Sequence, residues 1–261
     1  MLIDSHCHLD FPELAGDESG VLTRARAAGV RGMLTIGTRL DQFERVRGFA
    51  ERHENVWCSV GVHPHEAKEE GQRTPDRLIE AARHPKVVGI GETGLDFYYE
   101  HSPREEQSTS FRAHIAASRQ TGLPLIVHTR DADAETGDIL EDEYGKGAFP
   151  GLIHCFSSGL EVARRALALG MYISISGIVT FKAAEGLRAI VRDLPLERLL
   201  VETDAPYLAP VPKRGKTNEP AFVAHTAAKV AELRGMDRSA FEQPTGENFF
   251  RLFTRVPRPA A

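Results

Sequence analysis

The chain has 261 residues, 41% of them hydrophobic, and a formal net charge of −5 at pH 7. This length suits one large α/β barrel or two small domains, and the negative charge argues against a polycation that coats nucleic acid. An enzyme acting on nucleic acid is not excluded, because metal ions or a local basic rim can meet the phosphates. The three cysteines show no CxxC spacing, which predicts reduced thiols and no disulfide framework.

The sequence shows neither a membrane segment nor a secretory signal. No apolar run reaches about 18 residues, the length that spans a bilayer. The first residues lack a basic region followed by an apolar core. We therefore expect a cytoplasmic protein without membrane contact, and no feature of the sequence indicates an obligate protein partner.

Short apolar runs, typical of buried parallel strands, recur along almost the whole chain. They predict eight strands, at Leu2–His6, Gly32–Ile36, Val56–Val60, Val87–Glu92, Leu125–His128, Leu152–His154, Tyr172–Ser176 and Leu199–Glu202. Amphipathic runs between and after them predict helices at Val21–Ala28, Leu40–Arg52, Pro75–Arg83, Arg104–Thr121, Ala132–Tyr144, Leu160–Leu169, Ala184–Arg192 and Phe222–Arg234. Gly29, Gly122 and Gly170 lie where three of these helices are expected to end.

The alternation of strands and helices indicates a parallel sheet that is covered by helices on both faces. At this length we predict a single (β/α)8 barrel of the TIM type over residues 1–261, with a doubly wound sheet as the structural alternative. Asp237–Phe253 is expected to close the barrel as a final helical segment. Ala209–Pro220, rich in Pro, Gly and Lys, is predicted as a long loop after the last strand.

The first predicted strand ends in two histidines, His6 and His8. Successive side chains of a strand point to opposite faces, so both histidines share one face with Asp4. Two neutral imidazoles on one face at the end of a strand form half of a site for a divalent metal.

Polar residues also follow several other predicted strands. They are His63, Glu92, His128, Arg130, His154, Glu202 and Asp204. In a barrel these strand ends meet at one mouth, where active sites form. Four histidines and two carboxylates at one mouth are enough for two divalent ions bridged by a carboxylate.

Five stretches resemble, in order and in spacing, the motifs of the TatD family of metal-dependent deoxyribonucleases. They are DSHCHLD at 4–10, GVHP at 61–64, GETGLD at 91–96, HCFSSG at 154–159 and VETDAPYL at 201–208. The resemblance implies a distorted TIM barrel of the amidohydrolase-like type. It also implies a division of the ligands between two metals: the first bound by His6, His8, Glu92 and Asp204, the second by Glu92, His128 and His154. Pro244 departs from the family pattern, because it stands where the last helix of the family continues.

The function that this resemblance implies is hydrolysis of phosphodiester bonds in DNA, as an exonuclease acting on single-stranded ends. Two divalent ions (Mg²⁺, Mn²⁺ or Zn²⁺) are expected to activate the attacking water, since a bound metal lowers the pKa of water toward about 7. Asp204 is expected both to bind metal and to accept the proton of that water.

Two alternatives belong to other functional classes. An ester or amide hydrolase of the same superfamily, such as a D-aminoacyl-tRNA deacylase, would use the same metals on a carbonyl group. A barrel that only binds its ligand is the non-enzymatic alternative, although a complete ligand set argues against it. Glu92 at the bridging position favours the TatD type over amidohydrolases that use a carbamylated lysine.

Three residues are predicted to contact the substrate. Arg130 suits a two-point hydrogen bond to phosphate, although a solvated arginine in a salt bridge fits its position too. His63 is expected to touch the leaving group or a phosphate, or else to support a ligand by a hydrogen bond. Asn218 and Asp96 are each expected to stabilise a turn or a cap, and contact with substrate or support of a ligand is the alternative for both.

Other residues near the predicted mouth give weaker signals. Glu202, one layer below Asp204, is predicted to orient a ligand histidine or to bind an extra ion, and not to act as the general base. Cys7 and Cys155 face away from the mouth by strand parity and are predicted as core residues. The basic stretch 212–216 either contacts a nucleic-acid backbone or is a solvated loop. A group of aromatic residues either stacks on bases or, for most members, packs beneath loops: Phe97, Tyr98, Tyr99, Phe156 and Tyr207.

Overall fold

The computed structural model describes residues 1–69 and 75–258. Its strands are β1 Leu2–Cys7, β2 Val30–Thr35, β3 Val56–Val60, β4 Val87–Asp96, β5 Leu125–Arg130, β6 Gly151–Ile153, β7 Tyr172–Ile175 and β8 Leu199–Val201. All neighbouring strands are parallel, and they pair in chain order as one eight-stranded sheet. This is the (β/α)8 arrangement that the sequence predicts.

β1 and the segment after β8 meet where the sheet closes on itself. A parallel bridge joins Cys7 to Ala205. The backbone N–H of His8 donates to the carbonyl of Ala205 at 2.8 Å, and that of Asp204 donates to the carbonyl of His6 at 2.9 Å. The barrel is therefore nearly closed, and its closure places the two ends of the predicted ligand set side by side.

The helices lie between the strands and after the last one. They are α1 Pro12–Ala15, α2 Glu18–Ala27, α3 Phe43–Glu51, α4 Pro75–Ala81, α5 Arg104–Thr121, α6 Asp133–Gly145, α7 Leu160–Ala168, α8 Glu185–Asp193, α9 Val223–Leu233 and α10 Arg238–Leu252. Gly29, Gly122 and Gly170 follow α2, α5 and α7 with positive φ, which confirms the predicted helix ends. Within the described ranges, no helix combines the length and the apolar character that crossing a bilayer requires.

Several boundaries differ from the sequence prediction. β4 and β5 continue four and two residues further, because Gly94 pairs with His128 and Asp96 with Arg130. β6 and β8 end one residue earlier than predicted, so the polar residues that follow them stand on loops. α1 was not predicted, since four residues are too few to show a helical period.

The apolar core has two layers. The layer inside the barrel contains inward-facing strand residues such as Leu34, Val88 and Ile126, and the larger layer lies between the strands and the helices. Phe249 of α10 and Phe253 directly after it belong to the inner layer, so α10 closes the end of the barrel opposite to the predicted mouth.

The closing segment is therefore confirmed, and it is held by more than apolar contacts. The side-chain amide of Asn248 donates to the carbonyls of Leu196 and Leu199 at 2.8 and 2.9 Å. α10 continues through Pro244, so the departure from the family pattern does not end the helix.

Gly94 offers a test of how closely β4 and β5 approach each other. Its φ is +138°, and an added Cβ would lie 2.0 Å from the carbonyl oxygen of His128. We expect Gly94→Ala to lower the free energy of unfolding, measured in urea, by roughly 2–4 kcal/mol from overpacking and backbone strain. Gly122→Ala is the control, because φ there is +70° but no atom lies within 4 Å of the added Cβ. Equal losses in the two variants would contradict the close approach.

Candidate metal centre at the mouth of the barrel

The C-terminal ends of the strands surround a cavity of about 740 Å³. Its lining includes most of the predicted site residues, namely His8, His63, Glu92, His128, Arg130, His154 and Asp204. His6 is fully buried beside them, and its ring stacks on that of His154 with the centroids 3.9 Å apart. The fold thus brings the six predicted ligands together.

Glu92 lies at the centre of this cluster, and its two oxygens face different histidines. Oε1 is 2.7 Å from His154 Nε2, 3.1 Å from His128 Nδ1 and 3.4 Å from His63 Nε2. Oε2 is 3.4 Å from His6 Nε2. One carboxylate therefore connects the β1 side of the mouth with the β5 and β6 side, which is the position that a bridging ligand needs.

Asp204 completes the β1 side of the cluster. Its Oδ1 is 3.4 Å from His8 Nε2 and 3.6 Å from His6 Nε2. The backbone of Asp204 has a φ of +56°, a left-handed conformation that residues other than glycine rarely adopt. Such strain persists only where the surroundings impose it, and it is common at functional sites.

Hydrogen bonds between Asp4 of β1 and Thr203, the residue before Asp204, hold this segment in place. We call this pair of bonds the latch. Asp4 Oδ1 accepts from the backbone N–H of Thr203 at 2.9 Å, and Oδ2 accepts from Thr203 Oγ1 at 2.6 Å. Burial raises the pKa of Asp4 to about 8, although the hydrogen bonds from Thr203 lower it. Sequence reasoning placed Asp4 on the same face as His6 but missed the latch, because its partner lies 199 residues away.

His154 is supported by Glu202, as predicted. Glu202 is fully buried, and its Oε1 accepts from His154 Nδ1 at 3.2 Å and from the backbone N–H of Cys155 at 2.8 Å. Burial lowers the pKa of His154, but the charges of Glu92 and Glu202 outweigh it and raise that pKa well above the ordinary value. Glu202 therefore makes the contact with His154 that an orienting role requires, while metal binding by His154 stays a prediction.

Cys155 differs from its prediction as a core residue. It is half-buried and lines the cavity, because its φ of +44° ends the strand alternation on which the prediction relied. Burial raises the pKa of its thiol well above the ordinary value, so the sulfur stays protonated at neutral pH. Cys7 is buried as predicted, and its Sγ donates to the carbonyl of Leu34 at 3.4 Å.

Asp96 supports His128 and also stabilises a turn, so both roles considered for it are present. Its Oδ2 accepts from His128 Nε2 at 3.2 Å and from His65 Nε2 at 2.8 Å. A proton on Nε2 of His128 leaves the lone pair of Nδ1 directed toward the cluster. Asp96 Oδ1 accepts from the backbone N–H groups of Tyr98 and Tyr99 at 3.1 and 2.9 Å.

The hydrogen bonds of His63 favour a donor role for this residue. Its Nδ1 accepts from the backbone N–H of His65 at 3.1 Å, and burial lowers its pKa to about 4. The neutral ring must then carry its proton on Nε2, the atom that faces Glu92. Both predicted roles of His63, contact with substrate and support of a ligand, use such an N–H group.

The cluster has the chemistry of a divalent-metal site. Four buried atoms of this cluster make no hydrogen bond to any described residue: His6 Nδ1, His6 Nε2, His8 Nδ1 and Glu202 Oε2. Burial lowers the pKa of His8 and of His128, but hydrogen bonds and charges of carboxylates outweigh it and raise both. The site therefore attracts positive charge, and imidazole and carboxylate are suitable ligands for it.

Three sets of residues place one ligand atom each within 4.8 Å of the others. They are His6 with His8 and Glu92, His63 with Glu92 and His128, and His6 with His154 and Glu202. Glu92 is shared by two of the sets, in agreement with its two-sided contacts. The third set uses Glu202, which sequence reasoning treated mainly as a support.

Arg130 lies on the rim and stacks on two tyrosines. Its guanidinium carbon is 4.0 Å from the ring centroid of Tyr98 and 4.7 Å from that of Tyr99. The structure shows no carboxylate in an ion pair with Arg130 within residues 1–69 and 75–258. The side chain is thus held by stacking, while its N–H groups stay available at the cavity.

Asn218 lies behind the loop that carries Asp204. Its Nδ2 donates to the carbonyl of Thr203 at 2.9 Å and to that of Tyr207, and its Oδ1 accepts from the backbone N–H of Glu219 at 3.0 Å. These bonds use the whole amide, which favours the turn-stabilising role over contact with substrate.

The comparison with known proteins agrees with this geometry. A model of the family described as TatD related DNase matches residues 3–254. The uncharacterized metal-dependent hydrolase YcfH of Escherichia coli K12 is 45% identical over 255 residues, which are 97% of this chain and 95% of the relative. The 3'-5' ssDNA/RNA exonuclease TatD of Enterobacter lignolyticus is 37% identical over 258 residues, which are 97% and 98% of the two chains. The crystal structure of YjjV, a TatD homologue of Escherichia coli K12, matches with a TM-score of 0.91 and 32% identity over 98% of each chain.

Glu202→Gln tests the support of His154. We expect the variant to bind Mn²⁺ or Zn²⁺ about 10–100-fold more weakly in calorimetry, because His154 Nδ1 loses a charged acceptor. Its turnover should recover at saturating metal, whereas Asp204→Asn should not recover, since it loses ligand charge and proton acceptor together.

Glu143→Gln is the matched control for this prediction. Glu143 is also a buried carboxylate, but it pairs with Arg112, Arg119 and Lys146 on the outer helices. Its loss should lower stability and leave metal affinity unchanged. Unchanged metal affinity in Glu202→Gln would contradict the orienting role of Glu202. Recovery of turnover at saturating metal in Asp204→Asn but not in Glu202→Gln would reverse the roles assigned to the two acids.

Proposed function

Because the chain belongs to the TatD-related DNase family of metal-dependent hydrolases, we propose that it removes nucleotides from single-stranded ends of DNA. The Enterobacter lignolyticus relative, named as an exonuclease on single-stranded DNA and RNA, supports this substrate class. The whole chain would act as one hydrolase domain, and its free cysteines agree with the cytoplasmic location expected from the sequence.

The observation that carries the proposal is the two-sided position of Glu92. Its Oε2 faces His6, while its Oε1 faces His128 and His154. We assign one divalent ion to His6, His8, Glu92 and Asp204, and a second to Glu92, His128 and His154. When bound, such ions lower the pKa of water and neutralise the charge that develops on a phosphoryl group.

The residues of the chain would then orient the substrate and accept the proton of the attacking water. Burial opposes ionisation of Asp204, but the hydrogen bond from His8 and the charge of His6 lower its pKa, so it is a carboxylate at neutral pH. Asp204 can therefore accept the proton of the attacking water. His63 Nε2 would donate to a phosphate or leaving-group oxygen, and Arg130 would hold a second phosphate oxygen by two N–H groups.

Metal removal tests the reaction, and a second substrate tests its class. We expect chelation to abolish hydrolysis of a single-stranded oligonucleotide and Mg²⁺, Mn²⁺ or Zn²⁺ to restore it. An aminoacyl-tRNA assayed in parallel should stay intact. Cleavage of the aminoacyl ester alone would instead identify a deacylase, and binding of either substrate without hydrolysis would identify a binding barrel.

Glu92→Gln tests the bridge itself. A neutral amide has one acceptor oxygen and no charge, so we expect metal content, measured by elemental analysis, and turnover to fall together. Glu143, the buried carboxylate among the outer helices, again gives the control, because Glu143→Gln should retain both metal and activity. A Glu92→Gln protein with full metal content and normal turnover would show that Glu92 does not bridge.

Arg130→Lys tests the phosphate contact. Lysine keeps the charge but loses the planar fork and its stacking on Tyr98 and Tyr99. We expect kcat/KM for an oligonucleotide to fall about 10–100-fold, the loss of a charge-assisted hydrogen bond worth roughly 1.5–3 kcal/mol, with metal content intact. Arg112→Lys, on the outer helices, should leave kcat/KM unchanged. Normal kinetics in Arg130→Lys would make Arg130 a solvated rim residue.

A further inference from the structure

We propose that the loops after β7 and β8 bind the sugar–phosphate backbone of a single strand outside the catalytic cavity. This inference rests on the proposed function and names the surface that holds the uncleaved part of the substrate. The surface, called the basic strip here, consists of Lys182, Lys213, Arg214 and Lys216.

The charges of the basic strip are free. Arg188, which adjoins the strip at Lys182, pairs with Glu185, whereas Arg24 pairs with Glu219 and Lys229 with Glu232. The four strip residues have no such carboxylate partner in the described part of the chain. Unpaired cations grouped on one surface repel one another and produce a local positive field that a polyanion neutralises.

The basic strip begins at the edge of the catalytic cavity. The guanidinium carbon of Arg214 is 3.8 Å from the ring centroid of Phe181. Phe181 lines the cavity together with Ile178 of the same loop and Leu208 after β8. A nucleic-acid strand whose end occupies the cavity would therefore pass directly onto the strip.

Several contacts hold the two loops as one surface. The backbone N–H of Val211 donates to Thr180 Oγ1 at 2.9 Å, which joins the loop after β8 to the loop after β7. Arg214 Nη1 donates to the carbonyl of Ala209 at 3.0 Å, and Lys213 Nζ lies 5.1 Å from the ring centroid of Phe222. Cations held in place before binding lose less conformational entropy when a ligand arrives.

The other side of the mouth is unsuited to a polyanion. A second cavity of about 510 Å³ adjoins the first and shares Thr129, Arg130 and Ser157 with it. Its outer lining contains three carboxylates, those of Asp131, Asp133 and Glu135. Asp133 already accepts the backbone N–H of Gly159 at 2.8 Å, so the N-terminus of α7 is satisfied. A phosphate backbone leaving in this direction would meet like charge.

Exposed aromatic rings indicate that the occupant is single-stranded. Tyr207 lines the cavity with 53% of its surface exposed, and its ring packs edge-on against Phe11 at a centroid distance of 6.3 Å. Tyr207 belongs to the same loop as Lys213 and Arg214. Cations along a groove together with an exposed ring are the features of sites for unpaired nucleic acid, whose bases are free to stack.

The test neutralises the strip and compares a long with a short substrate. In the triple variant Lys182→Gln, Lys213→Gln and Lys216→Gln, Arg214 is retained because it packs on Phe181. We expect KM for an oligothymidylate of about 20 nucleotides to rise on the order of tenfold, with kcat unchanged. KM for a thymidine dinucleotide, which cannot reach the strip, should stay the same.

Salt dependence provides a second readout. Each phosphate contact to a single strand contributes about 0.7 to the slope of log affinity against log salt concentration, so the triple variant should lose about 2. The control is Arg26→Gln, Arg31→Gln and Arg251→Gln, which removes equal charge from exposed positions away from the mouth. It should keep the KM and the slope of the parent.

The outcomes separate this proposal from the proposed function. Binding of the same oligonucleotide is also measured by fluorescence anisotropy in a chelator, where hydrolysis stops. Equal binding by parent and triple variant, while the parent hydrolyses DNA, would overturn the basic strip and leave the nuclease intact. Weaker binding by the triple variant, in a parent that hydrolyses no DNA with any metal, would support the strip and overturn the nuclease. Equal affinity for a duplex would overturn the single-stranded occupant.

Discussion

The carboxylate of Glu92, buried among histidine rings, is the interaction on which the rest of the site depends. A charge removed from water is tolerated only when it is paired, and here Oε1 faces three imidazoles and Oε2 faces that of His6. A barrel achieves this because every strand ends at the same mouth, so partners come from β1, β5 and β6 at once. The surrounding carboxylates raise the pKa values of His8, His128 and His154, so the site favours positive charge and suits bound cations.

The residues that line the cavity are held in orientation by buried acidic side chains that contact them from the side away from the cavity. Glu202 accepts from His154, Asp96 accepts from His128, and Asp4 holds the segment that carries Asp204. Glu202 and Asp96 set which ring nitrogen of His154 and His128 points into the cavity. Asp4 fixes the backbone segment from which the side chain of Asp204 extends. Asp96 also holds the turn with Tyr98 and Tyr99, so the position of Arg130 on the rim is tied to that of His128.

Residues at strand ends could be predicted from the sequence because strand parity and barrel topology act over short stretches. His6 with His8, Glu92 and His154 follow directly from those rules. The latch between Asp4 and Thr203 could not be predicted in this way, since it depends on how β1 meets β8 across the whole chain. Cys155 was misplaced for a local reason, because its left-handed backbone ends the alternation. The stacking of Arg130 was hidden as well, because β4 and β5 extend beyond their apolar runs.

Under the proposed function, the placement of charge would let a chain of net charge −5 bind a polyanion. Positive charge would lie at two places: on metal ions held by the carboxylates and imidazoles of the mouth, and along the basic strip. The inner charges are buried and are therefore screened little by salt, whereas the strip is exposed and is screened over a Debye length of about 10 Å at 0.1 M salt. Ionic strength should therefore act on the capture of long strands and leave the chemical step nearly unaffected. Such a division would let the outer surface bind and release a nucleic-acid strand while the inner cluster keeps one fixed geometry.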